Sequence, residues 1–574
     1  MSSESAVRMR IPRRIRALYD VSSTSAQSVI CTGFLVLLIG GPWLLPGYLF
    51  GTDWPGPRRL PFPAELSSSA PLQLVLASAS WIIGGQAAGK LLFLGSLFVA
   101  GISAYRALPD GGFVARSAAA TIYIVNPFVY GRLHYGQLYL LVGYAILPWV
   151  AIRLRRLLSE PRPINAIGLA ASLLLVSTAS AHLLLAAAVL ATTLVTVWVA
   201  LARPRLAYLR SLVPQLFVAG GLVLGASAYW IFPLLTGRGS EGERLTGIGS
   251  GDLSAFAAVP DQHLGLIPNL LGLYGFWAEN TGRFTSMKAF VPAWPAILAL
   301  LLLLSAVGLL SSVRKGDRTT TAWVAGLLLA ASVALFLEMG ISHPVSAGVV
   351  GWLDANVPAY RGMRDAGKWA ALLAFAYSQM AGLGAAAVLG GMKGWPRLRV
   401  RSEWLASFAT ALILAVPLYY GNGLLYGAHS EIRPSEYPAG WYSADRVLRS
   451  DAHSGRTLFI PWHEYMSYSF IHNQNRVVAP PAPNFFSVPI VVSNDPEVTG
   501  IATPHTADQD AISSLVRAGS SGQWAEVLNE RHIKYVLLAR ELDWSYFAFL
   551  DAQPGLSKVA DFGSIVLYRN VLAP

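Results

Sequence analysis

Asp53 is the residue whose setting most needs a chemical explanation. It stands a few residues past the end of a long apolar run, in the stretch YLFGTDWPGP from Tyr48 to Pro57. An Asp just beyond a helix C-terminus is disfavoured by the helix dipole. Pro55 and Pro57 fix φ, and Gly56 permits a tight turn. A carboxylate held rigid in this way could act as a general base, or as a ligand for a hard divalent cation, Mg or Mn. The plainer alternative is a helix-end residue in contact with water.

A cationic counterpart lies far along the chain in YRGMRDAGKWA, from Tyr360 to Ala370. Arg361, Arg364, Asp365 and Lys368 are spaced i, i+3, i+4 and i+7, which on a helix puts them on one face. Three cations and one anion could clamp a phosphate or other donor group. Equally, Asp365 could pair with Arg361 and Lys368 in an internal salt-bridge cluster. Gly362 and Gly367 weaken the helical assumption.

Other polar groups are candidates for substrate binding. The segment NPFVYGRLHYGQLYLLVGYAILPW brings Arg132, His134 and Gln137 to a turn between two apolar runs, where polar groups near a bundle interior are often functional. His134 could instead be an interfacial residue beside Tyr130 and Tyr135. The segment 236–290 offers Glu241, Glu243, Asp252, Asp261, His263 and Glu279, of which Asp261 and His263 are the candidates for a site. In PWHEY, His463 and Glu464 follow a strand-like run, and a structural turn is their default reading. There is no HExxH, no GxSxG and no phosphate-binding glycine loop with lysine.

These groups must be positioned by membrane helices. The chain has 574 residues, 54% hydrophobic and 13% charged, against about 25% charged in a soluble protein. A spanning helix needs about 20 mainly apolar residues. Eleven segments qualify: 28–49, 87–106, 113–131, 137–153, 164–181, 183–202, 212–235, 291–312, 321–339, 368–390 and 403–421. The weakest break is STASAHLL, between the fifth and sixth. His182 interrupts a span. Cys31 is the single cysteine, so no intrachain disulfide forms.

With a cytoplasmic N-terminus, the inner segments hold 21 of the 43 basic residues and six acids. Every short, strongly basic loop then falls on one side, as the positive-inside rule requires. The net charge of +12 follows from topology, and no nucleic-acid partner is needed. The fold class is an all-α polytopic membrane protein with a small C-terminal α/β domain. Residues 1–27 form a basic cytoplasmic N-terminus, and 28–421 a transmembrane domain with outer loops 50–86, 236–290 and 340–367. Residues 422–574 form an extracytoplasmic domain, with strand-like RTLFIPW, IKYVLLA and SIVLYRN and a helix-like QWAEVLNERH. The expected location is the plasma (inner) membrane, multi-pass, with the C-terminal domain outside. Asp53 then sits on the outer face near headgroup depth.

The basic N-terminus, the early Asp in the first outer loop, some ten further helices and the outer C-terminal domain resemble integral membrane glycosyltransferases of the C-type (GT-C) fold. The segment NPFVYGRLHYGQLYLLVGYAILPW is similar to one in arabinofuranosyltransferase-like and YfhO-type bacterial membrane proteins. YRGMRDAGKW is similar to their FR-x-x-x-K-[FW] stretch, with Tyr360 in place of Phe, and IKYVLLAR…LYRN to the end of their outer domains. The resemblance implies a sugar donor on a polyprenyl phosphate, entering from the outer leaflet, and a catalytic carboxylate in the first outer loop at the position of Asp53. A paired acid sometimes stands beside it in that family. Here the nearest is Glu65, which is not adjacent, so metal dependence stays open, with Asp53 the ligand if Mg or Mn is held.

The residues lead to the same chemistry. An outer-face enzyme has no nucleotide sugars, so its activated donor must be anchored in lipid. A carboxylate would take the proton of the acceptor hydroxyl, and Arg361, Arg364 and Lys368 would stabilise the leaving phosphate. The expected function is an inverting sugar transfer to a cell-envelope glycan or glycolipid, with membrane lipids as surroundings. The alternatives are a non-catalytic transporter or scaffold for polysaccharide or lipid assembly, and a membrane anchor whose outer domain binds polysaccharide.

Overall fold

The computed structural model describes all residues except 1–12, 239–241, 243–244, 246–248, 394–398, 452–454, 474, 496, 498–500, 502–505 and 574. Glu241 and Glu243 therefore lie outside the described residues. The chain is a multi-pass membrane protein: among the described residues, nine helices are long and apolar enough to cross a bilayer. Three shorter apolar helices accompany them, and two of these, Phe113–Ile124 and Pro163–Ala179, fall on expected spans.

In chain order the helices that frame the site begin with α1 (Arg13–Gly40), α2 (Ala70–Ile83), α3 (Gly85–Ala107), α4 (Phe113–Ile124), α5 (Pro127–Tyr135) and α6 (Leu138–Ser159). Then follow α7 (Pro163–Ala179), α8 (Ala181–Leu201), α9 (Arg205–Leu235), α10 (Trp294–Arg314), α11 (Arg318–Glu338), α12 (Pro344–Asn356), α13 (Ala370–Lys393) and α14 (Arg399–Tyr420). Buried Leu, Ala and aromatic side chains of these helices form one continuous core.

Three features depart from the expected layout, each for a local reason. The apolar run 113–131 is not one helix. Pro127 has no N–H to donate and takes the first position of α5, while Asn126 caps it by accepting from the Val129 amide at 3.0 Å. The segment 50–86, expected as a loop, is not all loop, because apolar residues 70–83 form α2. The stretch from Tyr360 to Ala370 is not one helix. Pro358–Arg361 makes a single turn, and Asp365 caps a separate 3₁₀ turn, Ala366–Trp369, by accepting from the Gly367 amide at 3.1 Å. The break at STASAHLL is real: Ser180 ends α7 and caps α8.

The C-terminal part carries a five-stranded mixed sheet of β1 (Arg456–Ile460), β2 (Ile490–Val491), β3 (Ile533–Ala539), β4 (Leu556–Asp561) and β5 (Ile565–Asn570), in the order β2-β1-β3-β5-β4. β1 runs parallel to β2 and β3, whereas β3, β5 and β4 are antiparallel. The three strand-like runs of the sequence are β1, β3 and β5, and Trp524–Glu530 is the anticipated helix. Each face of the sheet has its own core. One of these cores includes Phe50, which precedes the Asp53 loop, together with Tyr437 and Trp441. The loop that bears Asp53 is thereby built into the C-terminal domain.

Candidate functional site

The short helix α5 ends on Gly136, at φ +69°, a conformation that favours glycine. A methyl group there would meet Cβ of Trp54 at 2.5 Å. The chain Gly51–Trp54 packs directly against this turn. Gly51 and Trp54 pair with each other, and the Asp53 amide donates to the Tyr135 carbonyl at 2.7 Å. From above, Ala479 donates to the Thr52 carbonyl at 2.9 Å, and the Tyr437 hydroxyl donates to the Pro55 and Gly56 carbonyls at 2.8 and 2.7 Å. Asp53 is thus fixed between the end of α5 and the C-terminal domain.

Its carboxylate opens into a cavity of about 910 Å³. Oδ1 accepts from the Tyr465 hydroxyl at 3.1 Å, and Oδ2 from Gln137 Nε2 at 3.4 Å. The side chain is exposed to the cavity, but protein encloses the site at longer range. That desolvation raises the Asp53 carboxyl above its ordinary range, against the hydrogen bonds of Gln137 and Tyr465 and the charges of Arg132 and Arg283. Burial pushes the Tyr465 hydroxyl up as well, so it stays a donor.

The same cavity is lined by Arg364, Lys368 and His182. Lys368 Nζ donates to the Gly362 carbonyl at 3.1 Å, and Arg364 pairs with the buried Asp252 at 2.5 Å. Trp230 and Leu234 of α9, with Leu184, Leu185 and Ala188 of α8, supply apolar wall. α9 also presents Phe217, Leu224, Phe232 and Leu235 at its exposed surface. Among the described lining residues Asp53 is the only carboxylate. For Mg or Mn it offers one ligand residue, the rest having to come from a bound phosphate and water.

Gln137 is held by a chain of polar contacts that leads inward. Its Oε1 accepts from Arg132 at 2.8 Å, and Arg132, 1% exposed, forms an ion pair with the buried Asp365. Phe276 covers the Arg132 guanidinium at 4.4 Å from the ring centroid. Breaking a buried pair of this kind costs about 3–5 kcal/mol, because one charge is left uncompensated. Arg132 therefore lies behind the cavity wall as a support for Gln137. Asp365 answers Arg132 and not Arg361 or Lys368, so neither the one-face helix nor the closed cluster describes this segment.

The remaining candidates lie elsewhere. Arg361 donates to the Asp354 and Ala355 carbonyls at the end of α12, at 3.0 and 3.5 Å, and is not among the cavity's lining residues. His134 is buried, and its Nδ1 meets Arg476 at 2.7 Å. Burial and the Arg476 charge lower its pKa well below the usual histidine value, so the neutral ring accepts from Arg476 and its 3.8 Å approach to Glu431 is no salt bridge. Asp261 caps the His263 and Leu264 amides and pairs with Lys288 at 2.9 Å; hydrogen bonding outweighs desolvation there and lowers its pKa to about 2. His263 is exposed on that turn. His463 contacts Glu497 and Asp543 at 2.7 and 3.3 Å within the C-terminal domain, and Glu464 is half-buried beside it. The residue of PWHEY that reaches Asp53 is Tyr465.

Two contributors carried no sequence signal. Tyr465 lies 412 residues from Asp53. Arg476 donates to the Phe50 carbonyl at 2.9 Å and the His134 carbonyl at 3.1 Å, tying the Asp53 loop to α5. His182 was visible as a polar interruption of a span.

No protein-family model matches the sequence, and no curated protein does. Solved structures do. The arabinofuranosyltransferase AftD from Mycobacteria superposes with a TM-score of 0.59 at 16% identity, over 98% of this chain and 40% of that one. A mutant form of the same enzyme gives 0.56 at 16% identity, over 98% and 42%. This chain thus spans about two fifths of the length of those structures. A more distant likeness, with a TM-score of 0.44 at 13% identity over 94% of this chain and 71% of the other, is to the oligosaccharyltransferase AglB from Archaeoglobus fulgidus. The two AftD likenesses carry the fold: the GT-C architecture anticipated from the sequence is present in this chain.

Proposed function

We propose that this protein is a glycosyltransferase that moves a sugar from a polyprenyl-phosphate donor to a cell-envelope glycan or glycolipid on the outer face of the plasma membrane. The observation that carries this reading is the shared cavity: Asp53, Arg364 and Lys368 line one space walled by apolar side chains of α8 and α9. The likeness to an arabinofuranosyltransferase supports the same reading.

In the transfer, an acceptor hydroxyl oxygen attacks the anomeric carbon. The bond from that carbon to the phosphate oxygen breaks, and the phosphate leaves with the bonding electrons. Asp53 takes the hydroxyl proton. Its raised pKa makes it a better base than an ordinary carboxylate. Gln137 and Tyr465 orient it. Lys368 and Arg364 meet the charge that develops on the leaving phosphate. A single base without a second carboxylate nucleophile favours inversion. Should the transfer require Mg or Mn, Asp53 would be its protein ligand, and EDTA would abolish an activity that either ion restores.

The test is Asp53→Asn. The expected outcome is a folded protein that no longer transfers sugar from a polyprenyl-phosphate donor. Full transfer by this variant refutes the assignment.

A further inference from the structure

A second cavity, of about 750 Å³, lies apart from the one that Asp53 lines. Its walls include Thr285, Glu431, Arg433, Asn473 and Asn475, together with the buried Phe284. We propose that this polar cleft holds an uncharged, hydroxyl-rich stretch of the glycan acceptor. The inference rests on the transferase reading for the word acceptor, and on the cleft itself for the chemistry.

The side chains match hydroxyl groups, which both donate and accept. The two amides offer donors and acceptors, Thr285 offers a hydroxyl, Arg433 donates and Glu431 accepts. Among the described lining residues, one acid and one guanidinium balance each other. The donor cavity, by contrast, sets two cations against one carboxylate. An anionic ligand suits that cavity, and a neutral polar one suits the cleft.

The backbone under the cleft is strained. Tyr426, Gly427, Ala428, His429 and Ser430 have φ of 54°, 72°, 56°, 50° and 65°, so five successive residues form a left-handed turn. Four of them carry side chains, for which this conformation is unfavourable. Such strain persists only where the surroundings enforce it, and it clusters at functional sites. Here Trp43 Nε1 donates to the Ile432 carbonyl at 2.9 Å, Ile432 donates to the Gly427 carbonyl at 3.1 Å, and His429 stacks on Phe290 at 4.1 Å. The turn delivers Ser430 and Glu431 to the cleft, with Arg433 just beyond.

The cleft wall and the Asp53 loop share one frame. Gly282, Phe284 and Thr285 line the cleft, while Arg283 between them donates to the Tyr135 hydroxyl at 3.4 Å and stabilises the Asp53 carboxylate. Asn475 lines the cleft, and the next residue, Arg476, holds the Phe50 carbonyl. A glycan lying in the cleft is thus held by the segments that fix the base.

The experiment uses the full chain in nanodiscs and reads ligand binding by saturation-transfer NMR, without donor or turnover. The probes are maltohexaose, chitohexaose, an arabinofuranose hexasaccharide and, as an anionic control, hexagalacturonate. At least one neutral oligosaccharide should bind the wild type and Asp53→Asn alike. Arg433→Ala and Asn475→Ala, both at exposed positions, should each weaken it about tenfold with thermal unfolding unchanged. With an active donor, the double variant should raise acceptor KM at least tenfold and leave donor KM alone. Binding of hexagalacturonate only, no neutral binding, or neutral binding unmoved in the double variant overturns the proposal. Retained transfer by Asp53→Asn would sink the base assignment while leaving glycan binding in the cleft intact, so the two failures are separable.

Discussion

Gln137→Leu separates a working base from a bystander carboxylate. The Gln137 amide stands between two charges, with Oε1 toward Arg132 at 2.8 Å and Nε2 toward Asp53 at 3.4 Å. Because Asp365 fixes Arg132, flipping the amide would set oxygen against carboxylate and N–H against guanidinium. Leucine has similar bulk and removes the donor. A hydrogen bond to a charged group contributes about 1.5–3 kcal/mol. At 3.4 Å the lower end applies, and about 1.5 kcal/mol is roughly tenfold in kcat/KM. The sign is also fixed. The donor stabilises the charged carboxylate, and desolvation already holds Asp53 above its ordinary value. Losing the donor raises that pKa further. A general base works only when deprotonated, so the acidic limb of kcat/KM moves to higher pH, and the loss is greatest in acid. The assay is the pH profile of transfer from a polyprenyl-phosphate sugar, alongside thermal unfolding. An acidic limb that stays put, or moves to lower pH, refutes the reasoning.

Three further outcomes follow from the same geometry. Lys368→Ala should raise donor KM by roughly 30-fold, as expected for losing about 2 kcal/mol of charge-assisted bonding, and Lys368→Arg should recover part of it; steady-state kinetics with varied donor checks both. Asp365→Leu should destabilise by about 3–5 kcal/mol, whereas Arg132→Met with Asp365→Leu should unfold near the wild-type temperature yet transfer slowly, because Gln137 is no longer held. Gly136→Ala places a methyl 2.5 Å from Trp54 Cβ and 2.9 Å from its backbone N at a φ of +69°; the left-handed backbone alone costs about 1–2 kcal/mol, the overlap must push the Asp53–Trp54 backbone aside, and both transfer and thermal stability should fall.

Much of the architecture was legible because hydropathy and charge report it directly. Long apolar runs give the helices, and short runs rich in β-branched and aromatic residues give β1, β3 and β5, whose side chains are buried almost continuously. The break at Asn126 was not legible from hydropathy, because the apolar run continues through it while the capping Asn and the following Pro decide the geometry. The stretch from Tyr360 to Ala370 misled for a related reason: the spacing of its charges assumes a helix, and Asp365 instead caps a new turn. Asp53 stood out in the sequence by its setting at the end of an apolar run, and Lys368 and Arg364 by their charge at the start of another. Their partners could not be read. Arg132 and Asp365 are 233 residues apart, and Tyr465 comes from the C-terminal domain. Such pairings are set by packing and leave no local pattern.

The most direct measurement is a cryo-EM structure of the protein in nanodiscs with a polyprenyl monophosphate at saturating concentration. The expected result is density for the phosphate beside Lys368 and Arg364, its chain running along α8 and α9, and room for one sugar between it and Asp53. A phosphate held away from these cations, or a lipid chain that never enters this cavity, would contradict it.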